Sequence, residues 1–400
     1  DLATLLTLTI FALMFWFIPV LSEQSNARFE QLARPQQRGV TRAGFLVVLL
    51  VLLIAPIFMD LNITNILNSI GLFILLGIGL NIVVGYAGLL DLGYVAFYAI
   101  GAYAVGILTT PSLLTCGGIP PDEITLETVD QLCTGMLTFW EAWPLAVAIT
   151  AFSGVLLGIP VLRLRGDYFA IVTLGFGEII RLLVRFDDFK DLFGAAQGIS
   201  NIPSPVLDLT FINPSWFFEF NNAYGIYYLV IGGVLLATLL SMRLANSRLG
   251  RAWFAMRADQ DVAQAMGIGI VRIKLTAFAI SAAFAGLGGA IAGVRLFGVS
   301  PDTFVLQVSI NVLSLIIIGG LGSIPGAFVG AIVLVGMPEV LRELADYRLL
   351  AFGVLLVLTM LMRPQGLIPP PVRRLTEVAE ERQEAERSRE RARVEEGALP

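Results

Sequence analysis

The sequence predicts an all-α polytopic membrane protein with about 10 to 11 transmembrane helices, some of them broken by Gly or Pro. The first observation is composition: 56% of the 400 residues are hydrophobic, only 14% are charged, and the mean hydropathy is +0.81. A typical soluble domain is about 25% charged. The second is a series of apolar runs that reach the roughly 20 residues needed to cross a bilayer. We interpret these runs as helices, because a bilayer admits only helices or closed barrels.

Eleven runs are predicted to span the membrane. In chain order they lie near 2–21, 44–59, 66–87, 93–110, 143–162, 169–184, 224–242, 275–298, 304–321, 324–340 and 348–362. A count of nine or ten stays open, because three of the later runs are short or interrupted by Gly and Pro. The first run is treated as an optional helix, since Asp1 opens the chain without the basic region of a signal peptide.

These spans divide the chain into three predicted domains. Residues 1–43 form an extra N-terminal helix and loop, 44–362 form the main transmembrane domain, and 363–400 form a charged tail. Within the tail, 371–400 holds eight Glu and seven Arg, a composition typical of a solvated helical or disordered extension.

The distribution of basic residues predicts the orientation. Loops 22–43, 163–166 and 243–274, with the stretch just after 362, fall on one side and hold fifteen Lys and Arg, whereas the opposite loops hold four. Cytoplasmic loops carry the excess of Lys and Arg. We therefore predict a multi-pass protein of a bacterial inner membrane, with its N-terminus outside and its tail in the cytoplasm.

Two absences limit the chemistry of this chain. It has no histidine, which removes imidazole metal ligands and Ser-His or Cys-His nucleophile pairs. Its two lysines, Lys190 and Lys274, follow Phe and Ile, whereas a phosphate-binding P-loop needs Gly directly before its Lys. The sequence therefore predicts no catalytic residue, no metal site and no ATP site on this chain.

The two cysteines lie in one predicted outer loop. Cys116 and Cys133 fall within 111–143, which has several acidic residues and no basic one. Two cysteines in one loop of an oxidising compartment usually pair, so a disulfide is expected, with two idle thiols as the alternative.

Glycine-rich stretches inside the spans are candidates for a substrate path. The stretch Gly319-Gly320-Leu321-Gly322-Ser323-Ile324-Pro325-Gly326 is expected to break a helix in the membrane and expose backbone polar groups. A second stretch holds Asn81, Gly85 and Gly88 and is followed by Asp91, and its polar groups are expected to face the bundle interior. The alternative for both stretches is close helix packing and a tight turn.

Glu178 and Arg181 lie three residues apart inside the short span 169–184. That spacing puts both side chains on one helix face, where they can neutralise each other. An unpaired charge at the bilayer centre costs about 3 kcal/mol or more. Pairing, or extension of the Arg181 side chain toward the outer membrane surface, is therefore the structural interpretation, and a role in coupling or in the substrate path is the functional one.

The loop 243–274 is too regular to be a simple connector. Its centre, 252–266, has apolar and polar residues spaced as on the two faces of an amphipathic helix, and Gly267 is a typical helix end. On these residues alone, a helix lying on anionic lipid and a helix docking to a partner are equally favoured.

At this loop the sequence resembles a known family. Asp261-Val262-Ala263-Gln264-Ala265-Met266-Gly267 looks like the loop by which permease subunits of bacterial ATP-binding-cassette (ABC) importers engage their ATPase, in the arrangement of the branched-chain amino-acid permeases. Four further stretches are similar to that family in the same order: 79–108, 162–183, 274–293 and 316–334. The segment LRLRGDYFAIVTL within 162–183 is similar to the LivM type rather than the LivH type.

The resemblance implies an ABC-importer permease fold with a short cytoplasmic coupling helix. It implies as partners a LivH-type permease, two cytoplasmic ATP-binding subunits that hold ATP and Mg, and an extracytoplasmic substrate-binding protein, with no nucleic acid. Residues of the coupling loop are expected to contact the ATPase: Arg251, Arg257, Asp261, Ala263, Ala265 and Gly267. The predicted translocation path contains Asn81, Gly85, Gly88, Asp91, Glu178, Gly319, Gly320 and Gly322.

The implied substrate is a branched-chain or related amino acid. A urea or short-amide importer of the same family is the alternative, because the binding protein does most of the selecting. The chain departs from the family pattern at Asp91-Leu92-Gly93-Tyr94 and at Gly194-Ala195-Ala196-Gln197-Gly198. A further alternative is a secondary transporter in which Asp91, Glu178 and Arg181 couple an ion gradient to transport.

Overall fold

A computed structural model describes most of the transmembrane part of the chain. It covers residues 52–56, 58–111, 136–161, 167–208 and 217–336, with the short pieces 353–354, 357–358, 361–362 and 365–368. The predictions for the span 2–21, most of the spans 44–59 and 348–362, the cysteines Cys116 and Cys133, and the tail 371–400 lie outside the described residues.

The described part is built almost entirely of helices. The α-helices are α1 Leu61–Leu80, α2 Tyr94–Thr109, α3 Phe139–Val161, α4 Asp167–Arg185, α5 Lys190–Phe193, α6 Ala223–Ala245, α7 Arg248–Ala258, α8 Gln260–Ala265, α9 Ile270–Arg295, α10 Leu306–Gly319 and α11 Ile324–Ala331. Two π-helical segments, Asn81–Tyr86 and Ile332–Gly336, continue α1 and α11. The strands are β1 Ile199–Ser200, β2 Val206–Asp208, β3 Phe217–Glu219 and β4 Gly298–Val299, and short 3-10 turns lie at Asp187–Phe189, Ala195–Gln197 and Pro301–Thr303.

The fold class is the predicted all-α multi-pass one. Five described stretches are long and apolar enough to cross a membrane: Leu61–Tyr86, Phe139–Val161, Ala223–Ala245, Ile270–Arg295 and Pro301–Gly319. Two shorter apolar helices, Tyr94–Thr109 and Ile324–Gly336, are packed with them. The predicted span 169–184 is also a helix, α4, but it contains Glu178 and Arg181 and is less apolar than the others.

Helix α9 lies at the centre of the bundle, and most of its residues are buried. Small residues let its neighbours approach closely: a Cβ on Gly154 of α3 would lie 2.9 Å from the carbonyl oxygen of Phe278, and a Cβ on Gly101 of α2 would lie 2.9 Å from the carbonyl carbon of Gly286. Side chains on the outer surface of the bundle are largely apolar, such as Phe152 and Ile171. Backbone-to-backbone packing inside and an apolar surface outside are typical of membrane helices.

The two ends of the bundle differ. At one end, α6 and α9 are joined by residues 246–269, which we name the interhelical segment. At the other, the strand end, β1 pairs with β4 and β2 with β3, both antiparallel. An ion pair of 3.4 Å between Arg185 and Asp302 also lies at the strand end.

The sequence predicts one continuous amphipathic helix over 252–266, and this prediction is wrong because the segment forms two helices. Two helices, α7 and α8, meet at Asp259, whose backbone is extended (φ −158°). The Asp259 carboxylate accepts the N–H groups of Asp261 and Val262, both at 2.9 Å, and so caps the start of α8. The predicted end of the helix is confirmed, because Gly267 has a φ of +86°.

Candidate functional site

The centre of the candidate site is a break between α10 and α11. Gly320 and Gly322 have φ angles of +123° and +90°, in a region that other residues rarely adopt. The hydroxyl of Ser323 then accepts the N–H of Gly326 at 3.1 Å and begins α11. The Gly-rich stretch therefore interrupts a helix, as the sequence predicts.

Distant parts of the chain hold this break from two sides. The Oδ1 atom of Asn81 accepts the N–H of Gly322 at 2.8 Å, and both residues are buried. From the other side, the N–H groups of Leu367 and Ile368 donate to the carbonyl oxygens of Ile318 and Gly319 at 2.8 and 2.9 Å. These bonds satisfy backbone groups that the helix ends would otherwise leave without partners inside the bundle.

Sequence reasoning missed the role of residues 365–368. Gly366 has a φ of +81°, and a Cβ there would lie 3.0 Å from the carbonyl carbon of Gly319, so a side chain has no room. The sequence signal was a Gly two residues after Pro364, which marks a turn but does not identify its partner.

Asn81 belongs to a π-helical turn, Asn81–Tyr86, which is buried throughout. Such turns inside α-helices are frequent at functional sites. A Cβ on Gly85 would lie 2.6 Å from the nitrogen of Gly322, so the turn and the break are in backbone contact. Gly88, with a φ of +73°, ends the turn.

Asp91 lies in the connector between this turn and α2 and is fully buried. Its Oδ1 accepts the N–H of Gly93 at 2.9 Å, while the hydroxyls of Thr173 and Ser309 accept the N–H groups of Leu92 and Val95 at 3.1 and 2.9 Å. Burial raises the pKa of the Asp91 carboxyl to about 7, against the opposing effect of its hydrogen bonds with Gly93 and Thr173. The start of α2 is thus fixed by side chains from α4, α10 and its own connector.

Glu178 and Arg181 form an ion pair on α4, with 3.3 Å between Arg181 Nε and Glu178 Oε2. The two side chains are 40% and 25% exposed, so this face of α4 is not covered by the rest of the chain. Charged groups in membrane-spanning helices normally face protein or water rather than lipid. The predicted pairing is present, on a face that has room for a neighbour.

The interhelical segment has one face turned into the protein and one turned away. Trp253, Met256 and Ala263 are buried, and the indole Nε1 of Trp253 donates to the carbonyl oxygen of Ile273 at 3.0 Å. On the outward face, Val262 and Met266 are 58% and 79% exposed although both are apolar. Exposed apolar side chains at one place are typical of an interaction surface.

The six residues predicted to contact an ATPase are divided between these faces. Asp261, Ala265 and Gly267 are exposed, whereas Ala263 is buried. Arg251 Nη1 donates to the carbonyl oxygen of Asn246 at 3.1 Å, and Arg257 Nη1 donates to that of Gly85.

The predicted path residues do not form one surface. Six of them are buried around the helix break and the nearby connector: Asn81, Gly85, Asp91, Gly319, Gly320 and Gly322. Gly88 is exposed beside the interhelical segment, and Glu178 lies on the separate half-exposed face of α4. Among the residues that the structure describes, no group of three His, Cys, Asp or Glu side chains could hold a metal ion.

Comparison with protein families gives one match that covers most of the chain. Residues 62–362 match the family described as branched-chain amino acid transport system / permease component.

Individual relatives agree with this match. The chain is 41% identical, over 81% of its length and 74% of the relative's, to the "high-affinity branched-chain amino acid transport system permease protein LivM" of Salmonella typhimurium and to the protein of that name from Escherichia coli K12. It is 31% identical, over 33% of its length and 43% of the relative's, to the protein named LivH from Salmonella typhimurium. No solved structure matches the chain significantly.

Proposed function

Because the chain belongs to the permease component family of branched-chain amino acid transport systems, we propose that it forms half of the translocation path of an ABC importer for branched-chain amino acids. It is a multi-pass transport subunit of LivM type. The observation that carries the mechanism is the interhelical segment, which exposes Val262 and Met266 at the end of a membrane bundle.

ATP hydrolysis belongs, in this proposal, to separate chains. Neither Lys190 nor Lys274 follows the Gly that a P-loop requires, and the chain has no histidine. ATP and Mg would therefore bind to two cytoplasmic partner subunits and to no group of this chain.

The docking surface for an ATP-binding subunit is the outward face of α8. Asp261, Val262 and Ala265 lie on it, Met266 and Gly267 directly follow α8, and all five are exposed. Burying Val262 and Met266 in a partner groove stabilises the contact, since a fully buried side chain of this size contributes about 1.5 to 3 kcal/mol. Ala263 is buried, and Arg257, although exposed, donates to the carbonyl oxygen of Gly85, so both would support the segment through contacts within this chain.

The relatives named LivM and LivH indicate a pair of permease subunits. We place the LivH-type partner against the half-exposed face of α4, so that the ion pair of Glu178 and Arg181 faces protein or the water-filled path between the subunits rather than lipid. A substrate-binding protein would deliver the amino acid at the strand end.

ATP binding would draw the docked interhelical segments together and rock the helices about the break at Gly320 and Gly322. Helix breaks supply backbone groups where a path needs them, and their φ and ψ angles can change without unfolding a helix. Of the predicted path residues, Asn81 and Gly85 contact Gly322 at this break.

Reconstitution of the whole transporter tests the proposal. With ATP-binding subunits, a LivH-type permease and a binding protein present, we expect ATP-dependent uptake of leucine, isoleucine or valine in preference to urea. Preferred uptake of urea would support the short-amide alternative, and uptake by this chain alone without ATP would support a secondary transporter.

Met266→Glu tests the docking surface. We expect it to remove the ATP-binding subunits from the purified complex, because a charge replaces an apolar side chain at the centre of the contact. The control is Leu296→Glu, the same kind of change at a side chain of 53% exposure, located after the end of α9 away from the interhelical segment. Equal retention of ATP-binding subunits by both variants would contradict docking at α8.

A further inference from the structure

The interhelical segment packs against the π-helical turn Asn81–Tyr86 as well as against the helices that it joins. The rings of Phe254 and Tyr86 lie 5.1 Å apart, and the Tyr86 hydroxyl is 3.4 Å from that of Ser241 at the end of α6. The guanidinium of Arg257 donates to the carbonyl oxygen of Gly85, 172 residues away in sequence. The stem of Arg257 packs over Gly88, where a Cβ would lie 2.7 Å from Arg257 Cγ.

The π-helical turn makes the Gly85 carbonyl available to Arg257. In a regular α-helix this carbonyl would accept the N–H of Leu89. Here the N–H of Leu89 donates to Val83 at 3.0 Å, and that of Ala87 donates to Ile82 at 3.1 Å. The changed ladder therefore leaves Gly85 facing the interhelical segment with a carbonyl that Arg257 satisfies.

The opposite side of the same turn contacts the helix break. Asn81 Oδ1 accepts the N–H of Gly322 at 2.8 Å, and Gly85 has no side chain to separate the turn from that nitrogen. Arg257 and Gly322 are thus joined through one buried turn of backbone. The bond from Arg257 to Gly85 is charge-assisted, and the bond from Gly322 to Asn81 is buried. Both kinds are stronger than an exposed hydrogen bond between neutral groups.

We propose that Arg257 and Asn81 are positioning residues that make the interhelical segment, the π-helical turn and the helix break move as one body. The proposal rests on the function proposed above, in which the segment receives motion from an ATP-binding subunit. It adds the route by which that motion reaches Gly322. Arg257 is exposed, but its side chain contacts Gly85 and Gly88 of this chain, and we assign it to this contact and not to the docking face on α8.

The first test measures uptake per ATP hydrolysed by the whole reconstituted transporter. We expect Arg257→Gln to lower this ratio about tenfold, a typical size for coupling between sites, while the ATP-binding subunits still co-purify. The matched control is Arg248→Gln, which removes the same charge from the start of the same helix. Arg248 and Arg257 are both exposed, so the two variants differ in the contacts that Arg257 makes with Gly85 and Gly88. An unchanged ratio in Arg257→Gln, or a loss equal to that in Arg248→Gln, would overturn the proposal.

Asn81→Ala tests the second bond, and the double variant tests whether the two residues share one route. If they do, Arg257→Gln with Asn81→Ala is no worse than the more damaging single change, because either break already disconnects the segment. Multiplying effects on uptake per ATP would contradict a shared route.

A reversible disulfide separates coupled motion from simple support. A Cβ on Gly88 would lie 3.2 Å from the Cβ of Arg257, close to the roughly 3.5 to 4.5 Å of disulfides. We expect Arg257→Cys with Gly88→Cys to recover uptake per ATP when oxidised and to lose it when reduced. Transport that stops on oxidation would show that the segment and the turn must move apart.

The controls are Arg257→Cys alone and Gly88→Cys alone, each oxidised and reduced in the same way. Gly88→Cys alone reports how far a side chain at the positive φ of Gly88 lowers uptake per ATP.

The docking proposal and the route proposal fail differently. If docking is wrong, Met266→Glu keeps its ATP-binding subunits; if only the route is wrong, Met266→Glu loses them and Arg257→Gln transports normally.

Discussion

Asp91 is an acidic residue whose side chain is shielded from solvent by the rest of the chain. It lies in the connector before α2 and is fully buried, and one of its oxygens accepts the N–H of Gly93. The hydrogen bonds favour its charged form, but desolvation outweighs them and raises the pKa to about 7. Between about pH 4 and pH 7 an exposed aspartate is charged, whereas ionising the buried Asp91 lowers the stability of the folded state.

We expect Asp91→Asn to reduce the pH dependence of stability. The folded pKa of about 7 is above the ordinary value of 3.8. The stability that the folded protein gains from keeping the Asp91 carboxyl protonated is therefore fully present below about pH 4 and is lost as the pH rises through 7. Each unit of pKa difference corresponds to about 1.4 kcal/mol, so the effect reaches a few kcal/mol. Thermal unfolding in detergent at pH 5 and pH 8 measures it.

Asparagine keeps an oxygen that can accept the N–H of Gly93 and cannot ionise. The melting temperature of Asp91→Asn relative to the unchanged protein should therefore rise from pH 5 to pH 8. Parallel melting curves for the two proteins across this range would contradict an ionisation penalty at Asp91.

At the scale of elements, the sequence predicted the helices better than their joints. Apolar length is a local property, and the predicted spans from 66–87 to 304–321 all correspond to described helices. The Gly-rich break was also predictable, because Gly320 and Gly322 lie two residues apart within the Gly-rich stretch that signals it. The contact between Asn81 and Gly322 was not, since it joins residues 241 positions apart.

The division of the interhelical segment into α7 and α8 shows how two local signals compete. The amphipathic pattern over 252–266 predicts one helix. Aspartate, however, is more favourable at a helix N-cap than inside a helix, and Asp259 ends α7 and caps α8. Its carboxylate satisfies two N–H groups that a continuous helix would have paired with carbonyls. The resulting bend turns Ala263 inward and leaves Met266 exposed.

Asp259→Ala is expected to loosen α8. Loss of an N-cap costs about 1 kcal/mol, so amide exchange across Gln260–Ala265 should quicken about fivefold. Asp259→Asn is the matched control, because asparagine caps about as well as aspartate. Hydrogen exchange measured by mass spectrometry compares them, and equal exchange in Asp259→Ala and Asp259→Asn would contradict the capping role.

At the scale of the whole molecule, charge distinguishes the two ends of the bundle. Six basic residues of the described chain lie at or beside the interhelical segment: Arg243, Arg248, Arg251, Arg257, Arg272 and Lys274. The strand end holds Arg185, Lys190 and Arg295, together with acidic side chains such as Asp187, Asp188 and Asp302. The positive-inside rule then favours a cytoplasmic interhelical segment, which is also the side where ATP is available to partner subunits.

Labelling from one side of the membrane tests this orientation. In a background with Cys116 and Cys133 changed to Ser, we expect Asp188→Cys to react with an impermeant maleimide in intact spheroplasts and Gln264→Cys to react only after permeabilisation. Both positions are exposed in this chain, and it is expressed without ATP-binding subunits so that docking does not cover α8; the difference in reaction then reports sidedness and not burial. Rapid labelling of Gln264→Cys in intact spheroplasts would place α8 outside the cell, where no ATP-binding subunit could reach Val262 and Met266. The docking surface and the route through Arg257 would then both lack a source of motion.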